Sequence, residues 1–354
     1  MKACILAILA LLVTSIANAQ NSEESTVTEK KEAVIAPQKP YFQTSYFYMM
    51  QSFKETPLEN SAPLGNIPTI FPTKLVVQTN QLSLKANISN SFNLELIGQY
   101  YDNNIDLKQS SLHFSRSFNG QTAGMGDTLI GTNYDLENSV SLGLHLSIPT
   151  GDYQLKSSTG MLHSYPAQLG SGTYDFIPSI SYKEKFGKWA INTKAKAKIR
   201  TGKNDLDYRL GDEIRAYATG SYYITRWLAS NLTLYYKNWA EVDGYQNVDN
   251  YNTAIAAKGR ATKQRTSSHS QHAKSSAASR NPNASASLSN SPMDPFAADG
   301  SRWSASLGLT AGIFFGQGKG GFIEIATPLY ADQAGALEGL TTDWYVQSSI
   351  MTTF

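Results

Sequence analysis

The stretch Asp343–Phe354, DWYVQSSIMTTF, decides the fold. Trp344, Val346, Ile350 and Phe354 share one parity, while Tyr345, Gln347, Ser349, Met351 and Thr353 share the other. Successive side chains of a strand point to opposite faces, so the segment carries one apolar face and one mostly polar face. It ends on an aromatic ring. An apolar terminus gains little in a soluble domain, where chain ends fray. In a membrane barrel the same ring sits at the bilayer interface, in the aromatic girdle that flanks the apolar band.

Upstream the period of two recurs. In Ser139–Pro149, Val140, Leu142, Leu144, Leu146 and Ile148 alternate without a break with Ser141, Gly143, His145 and Ser147, which is strong evidence for a strand. Twelve alternating segments follow one another from Val76–Ile88 to Thr341–Phe354, each near the length of a tilted membrane strand. They include Phe92–Tyr101, Leu107–Phe118, Gly126–Leu136 and Asp207–Ile224. Lys188–Arg200 places Trp189, Ile191, Thr193, Ala195, Ala197 and Ile199 on one face and Asn192, Lys194, Lys196, Lys198 and Arg200 on the other. In a barrel the basic ladder faces the lumen, because an Arg or Lys turned to lipid at mid-bilayer costs roughly 2–4 kcal/mol.

Connection lengths give an independent sign. Short links at 137–138, 185–187, 225–226 and 316–319 alternate with mostly longer ones at 119–125, 151–171, 201–206, 240–301 and 331–340. Membrane barrels pair short periplasmic turns with long external loops in this way; soluble sandwiches follow no such rule. The expectation is a transmembrane antiparallel β-barrel of about 12 strands, within a range of about 10–14, occupying residues 73–354.

The remaining chain is read around that barrel. Residues 1–19 combine Lys2, an apolar run and Ala17-Asn18-Ala19, the marks of a secretory signal peptide cut before Gln20. Its Cys4 is the single cysteine, so the mature chain offers no disulfide, redox or Cys-based metal chemistry. Residues 20–40 are a polar spacer expected to be disordered. In the N-terminal segment 41–72, the aromatic run Tyr41–Phe53 is either a first strand or a plug in the lumen, and Pro57–Pro72 reads as loop.

With 30 Lys+Arg against 28 Asp+Glu, net charge points to no particular partner. The 20 Tyr, 14 Phe and 26 Gly in a chain with only 16% charged residues suit a β protein. The long external loop 240–301 is rich in Ser, Ala and Asn and holds Lys258, Arg260, Lys263, Arg265, Lys274 and Arg280 with no acid before Asp294. It reads as a solvated insertion. The alternative is a contact surface for lipopolysaccharide phosphates, with the barrel as its anchor.

The sequence offers little for catalysis. His145 and Ser147 share a face, but i and i+2 stand about 6.5–7 Å apart on a strand, beyond nucleophile-activating reach. No acid on that face evidently orients the histidine. His269 and His272 form H-x-x-H without a neighbouring carboxylate or Cys, and no metal, cofactor or catalytic site is expected. Gly316–Gly321 opens no helix and is a turn rather than a phosphate cradle. Nucleic-acid binding has no support beyond the basic loop. Lys194, Lys196, Lys198 and Arg200 in the lumen either set an anionic preference or pair with lumen acids such as Glu95 and Glu213; His145 joins them on the polar wall.

Two resemblances follow from residues already quoted. The terminal strand is similar to that of bacterial outer-membrane proteins, in which Trp344, Val346, Ile350 and Phe354 would form the signal read by the barrel-assembly machinery. Gly124-Met125-Gly126-Asp127, Ser147-Ile148-Pro149-Thr150-Gly151, Gly170-Ser171-Gly172-Thr173 with Pro178, Ile323–Tyr330 and Thr342-Asp343-Trp344 resemble the outer-membrane family associated with the meta-cleavage pathway of phenol degradation. That likeness runs from about Gly124 to the C terminus, with Ala240–Ser301 as a departure. It implies an integral barrel of a Gram-negative outer membrane, in contact with lipid and lipopolysaccharide, that passes small hydrophobic or aromatic solutes without chemistry. An enzyme acting on lipid or peptide would need a catalytic group the sequence lacks.

Overall fold

The computed structural model describes residues 40–55, 69–110, 115–136, 139–156, 165, 168–244, 299–316, 319–335 and 340–353. The strands are β1 (Tyr41–Glu55), β2 (Thr69–Asn87), β3 (Phe92–Ser110), β4 (Ser115–Met125), β5 (Thr128–Asp135), β6 (Val140–Ile148), β7 (Tyr174–Phe186), β8 (Trp189–Thr201), β9 (Tyr208–Arg209), β10 (Glu213–Tyr223), β11 (Leu228–Trp239), β12 (Asp243–Gly244), β13 (Gly300–Gly316), β14 (Lys319–Gly335) and β15 (Leu340–Thr353). All pairings are antiparallel, and β1 closes the sheet by pairing with both β15 and β2. β4 and β5 run in line along β3 and count as one wall strand, so the barrel has 12. β9 and β12 form a separate ribbon.

The polarity is inside out. Leu82, Leu84, Leu94, Leu96, Ile130, Leu142, Leu144, Leu232, Leu234, Leu307, Leu309, Ile323 and Ile325 are exposed around the outer wall. Thr79, Ser83, Asn87, Asn93, His145, Ser147, Asp175, Asn231 and Glu324 are buried within it. Water would not stabilise such an apolar girdle; a bilayer does. Exposed aromatics mark its edges: Phe42, Tyr134, Phe186, Trp189 and Trp227 near the short turns, and Tyr100, Tyr174, Phe176 and Tyr330 near the opposite rim.

Three sequence expectations need correction, and one alternative is decided. Tyr41–Glu55 is a wall strand paired with β2 and, with a register shift between Ser52 and Phe53, with β15; of the two readings of Tyr41–Phe53, it is the first strand. Residues 119–125 are not a loop but the second half of β4, and Leu107–Phe118 divides between β3 and β4. Asp207–Ile224 is two elements, the ribbon strand β9 and the wall strand β10. The proline-rich stretch ends in strand: β2 begins at Thr69, and its register shifts between Pro72 and Lys74, where Pro is tolerated at a bulge.

The strand pairs β2–β3, β5–β6, β7–β8, β10–β11 and β13–β14 have their adjoining termini at one end of the barrel, here the turn end. The opposite end is the loop end. There Tyr165, Tyr208 and Val242, with Tyr153, Leu206 and Leu210 against them, form a small apolar core of their own, and Tyr208 donates to the Tyr153 carbonyl at 3.1 Å. On the other side of the rim β2, β3 and β4 rise past the apolar band, and their outward positions turn polar at Asp102, Asn104 and Asp106.

Candidate functional site

The inner wall has two contrasting sides at the loop end. On β1–β3, Phe53 lies opposite Leu75 and Leu75 opposite Ile105; all three are buried, with Val77 packed against them. Phe47, Met49 and Ile97 share the inward parity of these strands, among mostly polar side chains. On β8, β10, β11 and β13, Lys196 lies opposite Arg215, Arg215 opposite Lys237, and Lys237 opposite Arg302. With strands spaced about 4.8 Å apart, this arc of four cations spans about 14 Å. The sides meet where the Arg302 guanidinium stands over the Phe53 ring, 5.0 Å from its centroid, in cation–π range.

The basic ladder of β8 divides. Lys198 and Arg200 both reach Asp175, at 3.1 and 2.9 Å, and Asp175 also accepts from Thr173 at 2.7 Å. Lys194 and Lys196 make no ion pair among the described residues. Glu213 takes its cations from its own strand and the next, Arg215 and Lys237, the latter at 2.7 Å. Glu95 pairs with no lysine of the ladder; it holds His145 at 3.3 Å and accepts from Ser83 at 2.6 Å and Asn133 at 3.3 Å. An acid therefore does orient the histidine, contributed by β3 across β5. Ser147 nonetheless makes no hydrogen bond to that histidine, its buried Oγ having no partner among the described residues.

Glu324 was not among the sequence candidates. It is buried and accepts from Asn231, Thr310, Tyr345 and Gln347, at 3.1, 3.0, 3.1 and 3.2 Å. Those donors lie on β11, β13 and β15, so only the assembled barrel shows them together. The bonds from Tyr345 and Gln347 also fix the faces of β15: its even positions, Trp344, Val346 and Ile350, turn outward, and Ile350 is exposed. Phe354 lies outside the described residues, as do most of loop 240–301 and its H-x-x-H. Among the described residues no three His, Cys, Asp or Glu side chains gather as a metal set.

The glycine motifs converge on one knot at the loop end, beside the break between β4 and β5. Asp127 accepts from the Gly151 amide at 3.1 Å and from the amide and hydroxyl of Ser171 at 3.0 and 2.8 Å. Thr150 donates to the Gly126 carbonyl at 3.0 Å and receives the Thr128 amide at 2.9 Å. A Cβ on Gly170 would strike the Gly151 carbonyl oxygen, and one on Gly151 would lie 2.8 Å from the Gly170 Cα. Close backbone approach requires glycine at both positions. Among the described residues β4 pairs with β3 alone, and Leu169, beside the knot, lies against Gly124.

A family model described as "Putative MetA-pathway of phenol degradation" matches residues 72–265, more than half of the chain. The chain belongs to that family. The match opens well before Gly124, where the sequence motifs begin; it contains the three motifs of the knot and stops inside the long loop, leaving Ile323–Tyr330 and Thr342–Trp344 beyond it. No curated protein matches the sequence. Among solved structures, the fold of this family member is similar to that of an outer membrane channel from Pseudomonas putida F1, with 13% identity and a TM-score of 0.50 over 93% of this chain and 100% of that one. A Pseudomonas aeruginosa FadL homologue has 10% identity and a TM-score of 0.38 over 90% of each chain. The TodX monoaromatic hydrocarbon channel, as a deltaS2 mutant, has 8% identity and a TM-score of 0.40 over 90% and 91%. The likeness to the Pseudomonas putida channel is one of fold, a closed antiparallel β-barrel.

Proposed function

We propose that the protein is an outer-membrane channel for the passive passage of small apolar or aromatic molecules, with its turn end in the periplasm and its loop end outside. The observation that carries this reading is the buried row Phe53–Leu75–Ile105 on the inner wall. An apolar row packed into the inner wall there offers a passing solute little to hydrogen-bond, and an apolar solute that leaves water on reaching it is stabilised by about 25 cal/mol for each Å² it buries. The family's description in terms of phenol degradation suits an aromatic solute. Trp344, Val346 and Ile350, on the outward parity of β15, are the part of the assembly signal offered to the barrel-assembly machinery, and lipopolysaccharide surrounds the loop end.

Uptake of radiolabelled toluene by intact cells tests this reading. Cells carrying the protein are expected to take up the label faster than cells with an empty vector. Phe53→Gln and Ile105→Gln, each placing an amide in the apolar row, lower that rate toward the vector level. Equal uptake with and without a surface-exposed, folded barrel refutes the proposal.

A further inference from the structure

The cations of β8 and its neighbours outnumber their acids, and the remainder collects on one stretch of the inner wall. We infer that Lys194 and Lys196, with Ser179, Ser181, Arg215 and Tyr217 around them, form a lumen site for the oxygens of an anionic solute, a carboxylate, sulfonate or phosphate. Among solutes that carry charge, the barrel thereby favours anions over cations. The inference rests on the channel reading above and deepens it.

Three features carry it. The first is surplus charge. From Asn192 toward the loop end, the inward positions of β8, β10 and β11 hold Lys194, Lys196, Lys198, Arg200, Arg215 and Lys237. The acids on the same face of these strands and of β7 are Glu213 and Asp175. Each already serves two cations: Asp175 takes Lys198 and Arg200, and Glu213 takes Arg215 and Lys237. Glu95, whose charge also reaches Lys194, is held by His145 at 3.3 Å. Lys194 and Lys196 are left with no ion pair among the described residues. The second feature is their surroundings. On β7 Ser181 lies opposite Lys194 and Ser179 opposite Lys196; on β10 Tyr217 lies opposite Lys194 and Arg215 opposite Lys196. Each of these four side chains can donate a hydrogen bond, and no carboxylate lies opposite either lysine. The third is access. Lys196 is exposed although its face turns inward, and the Arg215 side chain keeps 39% of its surface open, against 0% for Asp175. Their charges therefore face space inside the barrel rather than packed protein.

An anion fits these surroundings and a cation does not. Lys194 and Lys196 are one pleat apart, about 7 Å along the strand, and Arg215 stands on the next strand, about 4.8 Å away. Ammonium and guanidinium groups only donate, so the group lacks the acceptor that a carboxylate, sulfonate or phosphate supplies. Bonds from such cations to an oxyanion are roughly twice as strong as neutral ones. A cleft lined by one sign of charge, with low-dielectric walls, also raises the local concentration of counter-ions by about 10–1,000-fold. A cationic solute meets the same field as repulsion.

Cys4 is the single cysteine, so the full-length protein with Cys4→Ser and Ser179→Cys carries one thiol, on the inner wall opposite Lys196. Ser181→Cys, opposite Lys194, gives the same comparison at a second position. After refolding in vesicles, at pH 7 and fixed low ionic strength, the thiol is reacted with two reagents of similar size, sulfonatoethyl and trimethylammonioethyl methanethiosulfonate. The ratio of their rates is compared with the ratio on free cysteine, which cancels any change in the thiol's own reactivity. The lumen thiol is expected to favour the sulfonate about tenfold more than free cysteine does. Lys194→Gln with Lys196→Gln leaves both acids with their two cations and brings the ratio back to the free value. Lys185→Gln with Lys188→Gln removes the same charge near the turn end and leaves the bias in place. Gel shift on heating confirms that each variant is folded. If the lumen thiol shows the free ratio, if the bias survives the first pair, or if it is lost equally with the second, the inference is overturned while the channel reading stands. If neither reagent reacts with the folded protein at either position, the lumen is closed there and the channel reading itself fails.

Discussion

Asp127 and Ser171 stand 44 positions apart in the chain and meet twice, the Ser171 amide and hydroxyl both donating to the same carboxylate oxygen at 3.0 and 2.8 Å. The other oxygen takes the Gly151 amide. One aspartate thus ties both ends of the loop 149–173 to the break in the wall strand. Asp127→Ala leaves three buried donors without their charged acceptor, at a cost of about 2–3 kcal/mol. Limited proteolysis of the refolded protein is expected to cut within 149–173 faster in the variant, with the remaining barrel intact. Resistance equal to that of the parent protein shows that the loop is held by other contacts.

The glycines of the same knot make a sharper test, because they distinguish space from charge. Gly170→Ala drives a methyl group into the Gly151 carbonyl oxygen, and the backbone has no flexible neighbour to give way; overpacking of this kind costs about 1–3 kcal/mol. At Gly98, in β3, nothing lies within 4 Å of the added methyl. The temperature at which the barrel loses its compact gel mobility is expected to fall for Gly170→Ala and to stay within error for Gly98→Ala. Equal behaviour of the two removes the steric account.

These residues also show what was legible before the fold was known. The wall is written in alternation because lipid and lumen impose opposite demands on successive side chains, and β6 and β8 obey it over their whole length. β1 hides it: Tyr46 and Tyr48 lie on the outward parity and Phe47 and Met49 on the inward one, so both faces carry large side chains and the period is lost. β3 and β4 hide it differently. Above the apolar band their outward face is polar, the contrast that marks a strand disappears, and residues 119–125 read as loop. The basic ladder was visible as a ladder, yet its partners were not. Asp175 reaches Lys198 and Arg200, and Glu213 reaches Lys237, through register with the adjacent strand, and His145 meets Glu95 across β5, which no single segment records. The three glycine motifs were visible as motifs, and their convergence on Asp127 follows only from closure of the barrel.

The apolar girdle predicts a depth-dependent response to charge. Leu232, exposed on the outer wall within the band, replaced by Arg, is expected to destabilise refolding into lipid vesicles by about 2–4 kcal/mol. Asn104 has the outward parity of β3 above the band and is also exposed; Asn104→Arg costs about 0–1 kcal/mol, as at an interface. Denaturant titration of both variants in vesicles checks the difference. Equal costs contradict the placement of the bilayer along the barrel.

Asp175 contrasts with the open arc and gives the last prediction. Its carboxylate is fully buried and is shared by Lys198 and Arg200. Asp175→Asn leaves two cations facing each other without their acid, and removing one partner of a buried ion cluster costs about 3–5 kcal/mol. Asp175→Asn combined with Lys198→Met and Arg200→Met removes the whole cluster, and the stability is expected to return most of the way, because desolvated charges are replaced by apolar side chains of similar length. Denaturant midpoints of the parent, single and triple variants in vesicles decide the matter. A single variant as stable as the parent means that water in the lumen already satisfies Lys198 and Arg200, which would place them with the accessible cations of the arc instead of with the structural core of the rim.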